Sequence, residues 1–181
     1  MEDTYLGEEL SRLKALCPPP GDSVPVRTVT RGTGDLTVPV SHKDLTGTYG
    51  AGCFDEFLWV FADGALNSHL DITERTEQMR AILRGKALTE LSRTLDKYQA
   101  GPDDLVQWGV TDNADLLAWI TRGDPADWPT VIIQAGQLGA VVSTGSSTAT
   151  IFDLLTGVLR VPFFPVDFPG EQPEFSVNPY G

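Results

Sequence analysis

Leu105-Val106-Gln107-Trp108-Gly109-Val110-Thr111-Asp112-Asn113-Ala114-Asp115-Leu116-Leu117-Ala118-Trp119-Ile120-Thr121 holds two apolar runs of strand length, each with a tryptophan, separated by residues with turn chemistry. The runs are Leu105 to Val110 and Leu116 to Thr121. Asp and Asn in the connector satisfy a tight reversal with their own side chains. In the first run Val106, Trp108 and Val110 alternate with Gln107, Gly109 and Thr111, which predicts one buried and one exposed face. Two further strand-length runs follow, Thr130 to Gln134 and Leu138 to Val142, reached through Arg122-Gly123-Asp124-Pro125-Ala126-Asp127-Trp128-Pro129. Residues 105–142 therefore read as a meander, whose short connections allow only antiparallel neighbours.

Outward from the meander the periodicity changes. Thr148 to Leu159 reads as a helix with the stripe Ile151, Phe152, Leu155, Val158, Leu159 and a cap at Ser146 or Ser147. Leu70 to Gln99 is also helical, with Ile72, Met79, Ile82, Leu83, Leu88, Leu91 and Leu95 as apolar positions and Gly85 as a break or kink. Before it, the glycines of Tyr49-Gly50-Ala51-Gly52-Cys53-Phe54 turn the chain into one short aromatic strand ending near Phe61. An N-terminal helical segment occupies residues 1–20, with Tyr5, Leu6, Leu10, Leu13 and Leu16 at helical spacing. Cys17-Pro18-Pro19-Pro20-Gly21 ends it. From there to Leu45, Thr, Val, Gly and Pro predict loops with one or two short strands. Residues 161–181 form a proline- and aromatic-rich tail that either packs on the sheet or trails free. The expectation is one domain over 1–181, of α+β class, with a mixed, largely antiparallel sheet and helices packed around it.

Composition narrows the function. Two cysteines, Cys17 and Cys53, make no C-x-x-C pair, which argues for reduced thiols rather than a disulfide or zinc framework. No apolar run has bilayer length, and the acidic start Met1-Glu2-Asp3 is unlike a secretory signal, so a cytoplasmic, non-membrane protein is expected. The net charge is −12. Residues 1–100 carry 11 basic and 15 acidic side chains, whereas 101–181 carry two basic and ten acidic ones. Such a surface repels nucleic acid and anionic membranes and attracts basic proteins.

Few residues carry chemistry. His42 and His69 stand alone, without a ligand at metal spacing. Gly47-x-x-Gly50-x-Gly52 lacks both the lysine of a phosphate loop and the order of a dinucleotide turn. Ser143-Thr144-Gly145-Ser146-Ser147-Thr148 is either an anion cradle or, more simply, a polar loop with a helix cap. The acidic pairs Asp112/Asp115 and Asp124/Asp127 invite three readings: hydrolytic or metal-binding carboxylates, plain turn formers, or a charged recognition rim. Trp108 and Trp119 fall mid-strand and read as core, while Trp128 at a loop end is a candidate exposed interface residue. The expected partner-binding set is Asp112, Asp115, Asp124, Asp127 and Trp128, with no catalytic residue, metal or cofactor.

Several segments together resemble the SUKH superfamily, the Smi/Knr-type cell-wall regulators and bacterial immunity proteins. Tyr49-Gly50-Ala51-Gly52-Cys53-Phe54 into Phe57-Leu58-Trp59-Val60-Phe61 is similar to its YG-x-G-x-F turn-strand. Trp108-Gly109-Val110-Thr111-Asp112-Asn113-Ala114-Asp115 is similar to its WG-x-T-x-x-G-D hairpin, with Ala114 in place of the glycine. Leu117-Ala118-Trp119, Gly123-Asp124-Pro125-x-x-Trp128-Pro129 and the closing Ile151-Phe152-Asp153-Leu154-Leu155-Thr156-Gly157 continue the match over roughly residues 45–160. The family's upstream helix has only a loose counterpart in Leu36 to Leu45. The resemblance implies a non-enzymatic α+β protein that binds and neutralises a toxin. A basic toxin domain such as a nuclease would suit the acidic surface. Two other classes stand beside it: a regulatory scaffold binding another cellular protein, and an enzyme built on the acidic pairs. A toxin gene next door distinguishes the first from the second, and turnover dependent on the aspartates would single out the third.

Overall fold

The computed structural model describes residues 2–21, 36–86, 89–136 and 139–177. Its frame is a seven-stranded sheet in which every neighbouring pair runs antiparallel. In chain order the strands are β1 (Gly52–Phe54), β2 (Leu58–Val60), β3 (Leu105–Thr111), β4 (Leu116–Ile120), β5 (Thr130–Ile133), β6 (Ala140–Ser143) and β7 (Phe175–Val177). The spatial order is β6-β5-β4-β3-β2-β1-β7. The expected meander is β3 to β6. The helices are α1 (Glu2–Leu16), α2 (Val40–Tyr49), α3 (Ile72–Arg84), α4 (Thr89–Asp96) and α5 (Ser147–Thr156). The molecule is α+β, with helices around one sheet.

Strand alternation sorts the side chains into two cores. On one face Val106, Trp108, Leu117, Trp119 and Ile132 pack under Leu13 of α1, Leu45 and Tyr49 of α2, and Ile151, Leu154 and Leu155 of α5. On the other, Leu105, Ala118, Ile120, Val131 and Ile133 pack under Met79 and Leu83 of α3 and Leu91 and Leu95 of α4. This corrects the expectation of one exposed face on β3. Gln107 is only 1% exposed, because α3 covers it. Its burial is tolerated because its side-chain amide donates to the Gly109 carbonyl and its backbone N–H donates to Thr76 Oγ1.

Two further expectations change, and the open question of the tail is decided. The segment before the glycine turn is helical as α2, not loop and strand, although Val, Thr and Gly are poor helix formers. Burial of His42, Leu45 and Tyr49 on one face outweighs that propensity. The single strand expected after the glycines is a hairpin, β1–β2, reversed at Asp55 and Glu56, both with φ of +54°. Gly50 ends α2 at φ +83°, and a Cβ on Gly52 would collide with the Ser176 carbonyl oxygen. The two glycines of this motif thus answer one torsional and one steric demand. The tail is part of the fold: Phe164 packs edge-on and Phe168 at a tilt against Phe57, and β7 pairs with β1.

The last helix is shorter than expected: α5 stops at Thr156 because Gly157 takes a left-handed cap, so Leu159 lies beyond it and Val158 is exposed, as is Ile82 on α3. The long helical stretch is divided after Arg84 at Gly85 into α3 and α4. Ser146 caps α5 by accepting from the Ala149 N–H. The side chains of Tyr5 and Leu6, the residues Leu88 and Leu138, the strands expected within 22–35 and the end of the tail from Asn178 lie outside the described residues.

Candidate protein-binding surface

The two acidic turns do not form one site. Asp112–Asp115 joins β3 to β4, and Arg122–Pro129 joins β4 to β5, so the turns sit at opposite ends of β4. A five-residue strand separates them by roughly 15 Å.

At the first end Asp115 is 3% exposed and holds structure together. Its carboxylate accepts from Thr111 Oγ1 at 2.9 Å and from the Ala135 N–H at 2.9 Å, tying the β3–β4 turn to the connection after β5. It has no surface to offer a partner, which corrects its place in the expected set. Asp112 is exposed, with its N–H held by the Phe57 carbonyl. Ala114, standing where the similar motif has glycine, adopts φ +67°. An L-residue is strained there. Ala114→Gly should therefore raise stability by about 0.5–1 kcal/mol after the added chain entropy is subtracted, measured as a higher urea midpoint. An unchanged or lower midpoint would place this residue outside the left-handed region.

At the second end Asp124 caps a 3₁₀ turn over Pro125–Asp127 by accepting from the Ala126 N–H. Asp124 and Asp127 are exposed. They share this end of the sheet with Asp103 and Asp104, which pair with Arg84 and Arg122. Among the described residues neither Asp124 nor Asp127 has an ion-pair partner. Trp128, expected at the surface, is 8% exposed. Its ring lies 6.5 Å from that of Trp119 and its indole N–H donates to the Gly123 carbonyl, so the loop closes over it as core. The exposed members of the expected set are Asp112, Asp124 and Asp127.

Of the two histidines His69 is exposed and His42 is internal. His42 is fully buried between Ser147 and the Phe61 carbonyl, and burial pushes its imidazole down to about 4. The serine-rich loop is satisfied from within: Ser146 donates to Glu9, and Ser143 bonds Thr150. Burial pushes the Cys17 and Cys53 thiols up to about 11 and about 12, so neither is a reactive thiolate at neutral pH. Among the described residues no three His, Cys, Asp or Glu side chains gather as a metal site, and no helix is long and apolar enough to cross a membrane.

One feature escaped the sequence reading. A groove of about 400 Å³ opens beside Asp112, floored by Trp59 and Val110 and flanked by Leu70, His69 and Arg75. The available signal was Trp59, which alternates with the buried Leu58 and Val60 and so points to the opposite face of the sheet. No protein-family model, curated protein or solved structure matches this chain.

Proposed function

We propose that this chain is an immunity protein that binds a basic toxin domain, such as a nuclease, and neutralises it by covering its working surface. The observation that carries the reading is the acidic end of the sheet. Asp124 and Asp127 stand exposed and unpaired among the described residues, beside Asp103 and Asp104, on a chain of net charge −12. Carboxylates held on a rigid turn lose little freedom on meeting lysine or arginine, and the surrounding negative field accelerates the encounter. The resemblance to SUKH immunity proteins supports the same reading through the glycine turn, the Trp108 hairpin and the closing helix. Cytoplasmic residence and the absence of catalysis belong to this proposal.

Survival of cells co-expressing the protein with candidate toxin domains tests the function. A binding experiment tests the surface. Asn keeps the acceptor that closes the Asp124 turn, so Asp124→Asn/Asp127→Asn removes two charges at little cost to the fold. Stopped-flow association with the protected toxin should slow by roughly tenfold at low salt, with a shallower salt dependence. Asp112→Asn, at the far end of β4, should have a much smaller effect. Equal rates for the native and double-Asn proteins would remove the acidic end from the interface.

A further inference from the structure

We propose that the groove between Trp59 and Arg75 is a binding site for a small aromatic carboxylate. This goes beyond the protein-binding reading and does not rest on it. Helices α3 and α4 cover one face of the sheet from β3 to β6, but α3 begins only at Ile72 and leaves Trp59 of β2 and Val110 of β3 half-buried. These two are cross-strand partners, and Leu70 rises beside them, giving an apolar floor and wall. A flat ring can lie there in offset contact with the indole.

Arg75 supplies the polar end. One Nη donates to Gln78 Oε1 at 3.0 Å, and the guanidinium lies 5.6 Å over the Phe61 ring. The Nε–H is buried and has no hydrogen-bond partner among the described residues, nor does any carboxylate among them pair with this cation. A desolvated donor without an acceptor is costly, and a planar carboxylate is the acceptor whose two oxygens match the fork of a guanidinium edge. Burial also draws the Arg75 pKa below its ordinary value, consistent with a cation stripped of water. Groove volume falls within the range of small-molecule sites. Asp112 on the rim disfavours multiply charged anions, leaving a monoanion on an apolar body as the best complement.

The probe is 2-naphthoate, set against its uncharged isostere 2-naphthamide and against inorganic phosphate, with the full chain followed by calorimetry and ¹H–¹⁵N spectra. Naphthoate should bind saturably at one site and shift the Trp59 indole N–H and the Arg75 Nε–H. The amide should bind at least about tenfold more weakly, and phosphate should produce no matching shifts. Arg75→Gln should weaken naphthoate by about tenfold or more, and Asp112→Asn should tighten it by removing a like charge. Comparing acid with amide on the native protein needs no variant, so a folding defect in Arg75→Gln cannot rescue or sink the proposal. No saturable binding at millimolar naphthoate, equal affinity for acid and amide, or shifts confined to residues outside the groove would each overturn it.

Discussion

Trp108→Ala should cost about 3–5 kcal/mol, the largest single loss expected from one side chain here. Trp108 is 0% exposed, belongs to the core shared with α1, α2 and α5 on one face of the sheet, and has the His42 ring of α2 at 5.8 Å and the Trp119 ring at 6.1 Å. Its indole N–H donates to Thr130 Oγ1 at 3.2 Å, linking β3 to β5 across the intervening β4. Truncation removes the apolar burial, leaves a cavity the surrounding strands cannot close, and strands a buried hydroxyl without its donor. For a domain whose total stability is of order 5–15 kcal/mol, that brings the chain close to unfolding. Urea denaturation should show a much lower midpoint, while Trp108→Phe, which keeps a ring and loses the hydrogen bond, should lose less than half as much. An alanine variant with the native midpoint would mean that β3 presents this residue to solvent.

Acid should destabilise the native protein through His42 by roughly 3 kcal/mol when the effect is complete. Nε2 lies 2.8 Å from the Phe61 carbonyl, which only accepts, so Nε2 carries the proton and Nδ1, 2.9 Å from Ser147 Oγ, accepts from the hydroxyl. The neutral ring is fully satisfied. Protonating Nδ1 would reverse the serine bond, so that the ring donates to Ser147 Oγ and the hydroxyl proton must find another acceptor, and would place a charge beside Trp108 and Trp119, whose ring centroids lie 5.8 and 4.8 Å away. Desolvation is the main cause of the lowered pKa; the Phe61 hydrogen bond partly opposes it. The unfolded imidazole titrates near 6.5 and the folded one near 4. Between those values the unfolded chain binds the extra proton, so stability is full above 6.5 and falls as the pH drops towards 4. Going from pH 7 to pH 5 should cost about 2 kcal/mol from this residue alone. Denaturation of native protein and His42→Gln at both pH values isolates the contribution from that of the carboxylates. Identical pH slopes for the two proteins would show that His42 is not the group taking the proton.

His42 and Trp108 also mark the boundary between local and tertiary information. The period-2 pattern and the Asp-Asn connector were enough to place β3 and β4, and with them both core tryptophans, because alternation and turn chemistry act over a few residues. The Gly85 break and the Ser146 cap were legible for the same reason, and so was the charge asymmetry towards the C-terminal half. Exposure was not legible. Asp115 and Asp112 share one turn and one residue type, yet the first is buried because the Ala135 N–H, 20 residues on, needs its carboxylate. Trp128 sits at a loop end and becomes core because Trp119 lies behind it. Helix α2 forms against its own propensity, since its worth comes from Leu45, Tyr49 and His42 meeting other elements. Strand β7 is too short to signal itself and exists by pairing with β1 across more than a hundred residues. Likewise the Arg75 groove lies where α3 begins along the sheet and leaves Trp59 uncovered. Spacing along the chain sets which way most residues face within an element, but the bulge between Gln107 and Gly109 turns Val110 away from Val106 and Trp108, against the expected alternation, and pairs it with Trp59; what stands opposite each face is set by the packing of distant segments, and burial, charge pairing and open grooves follow from it.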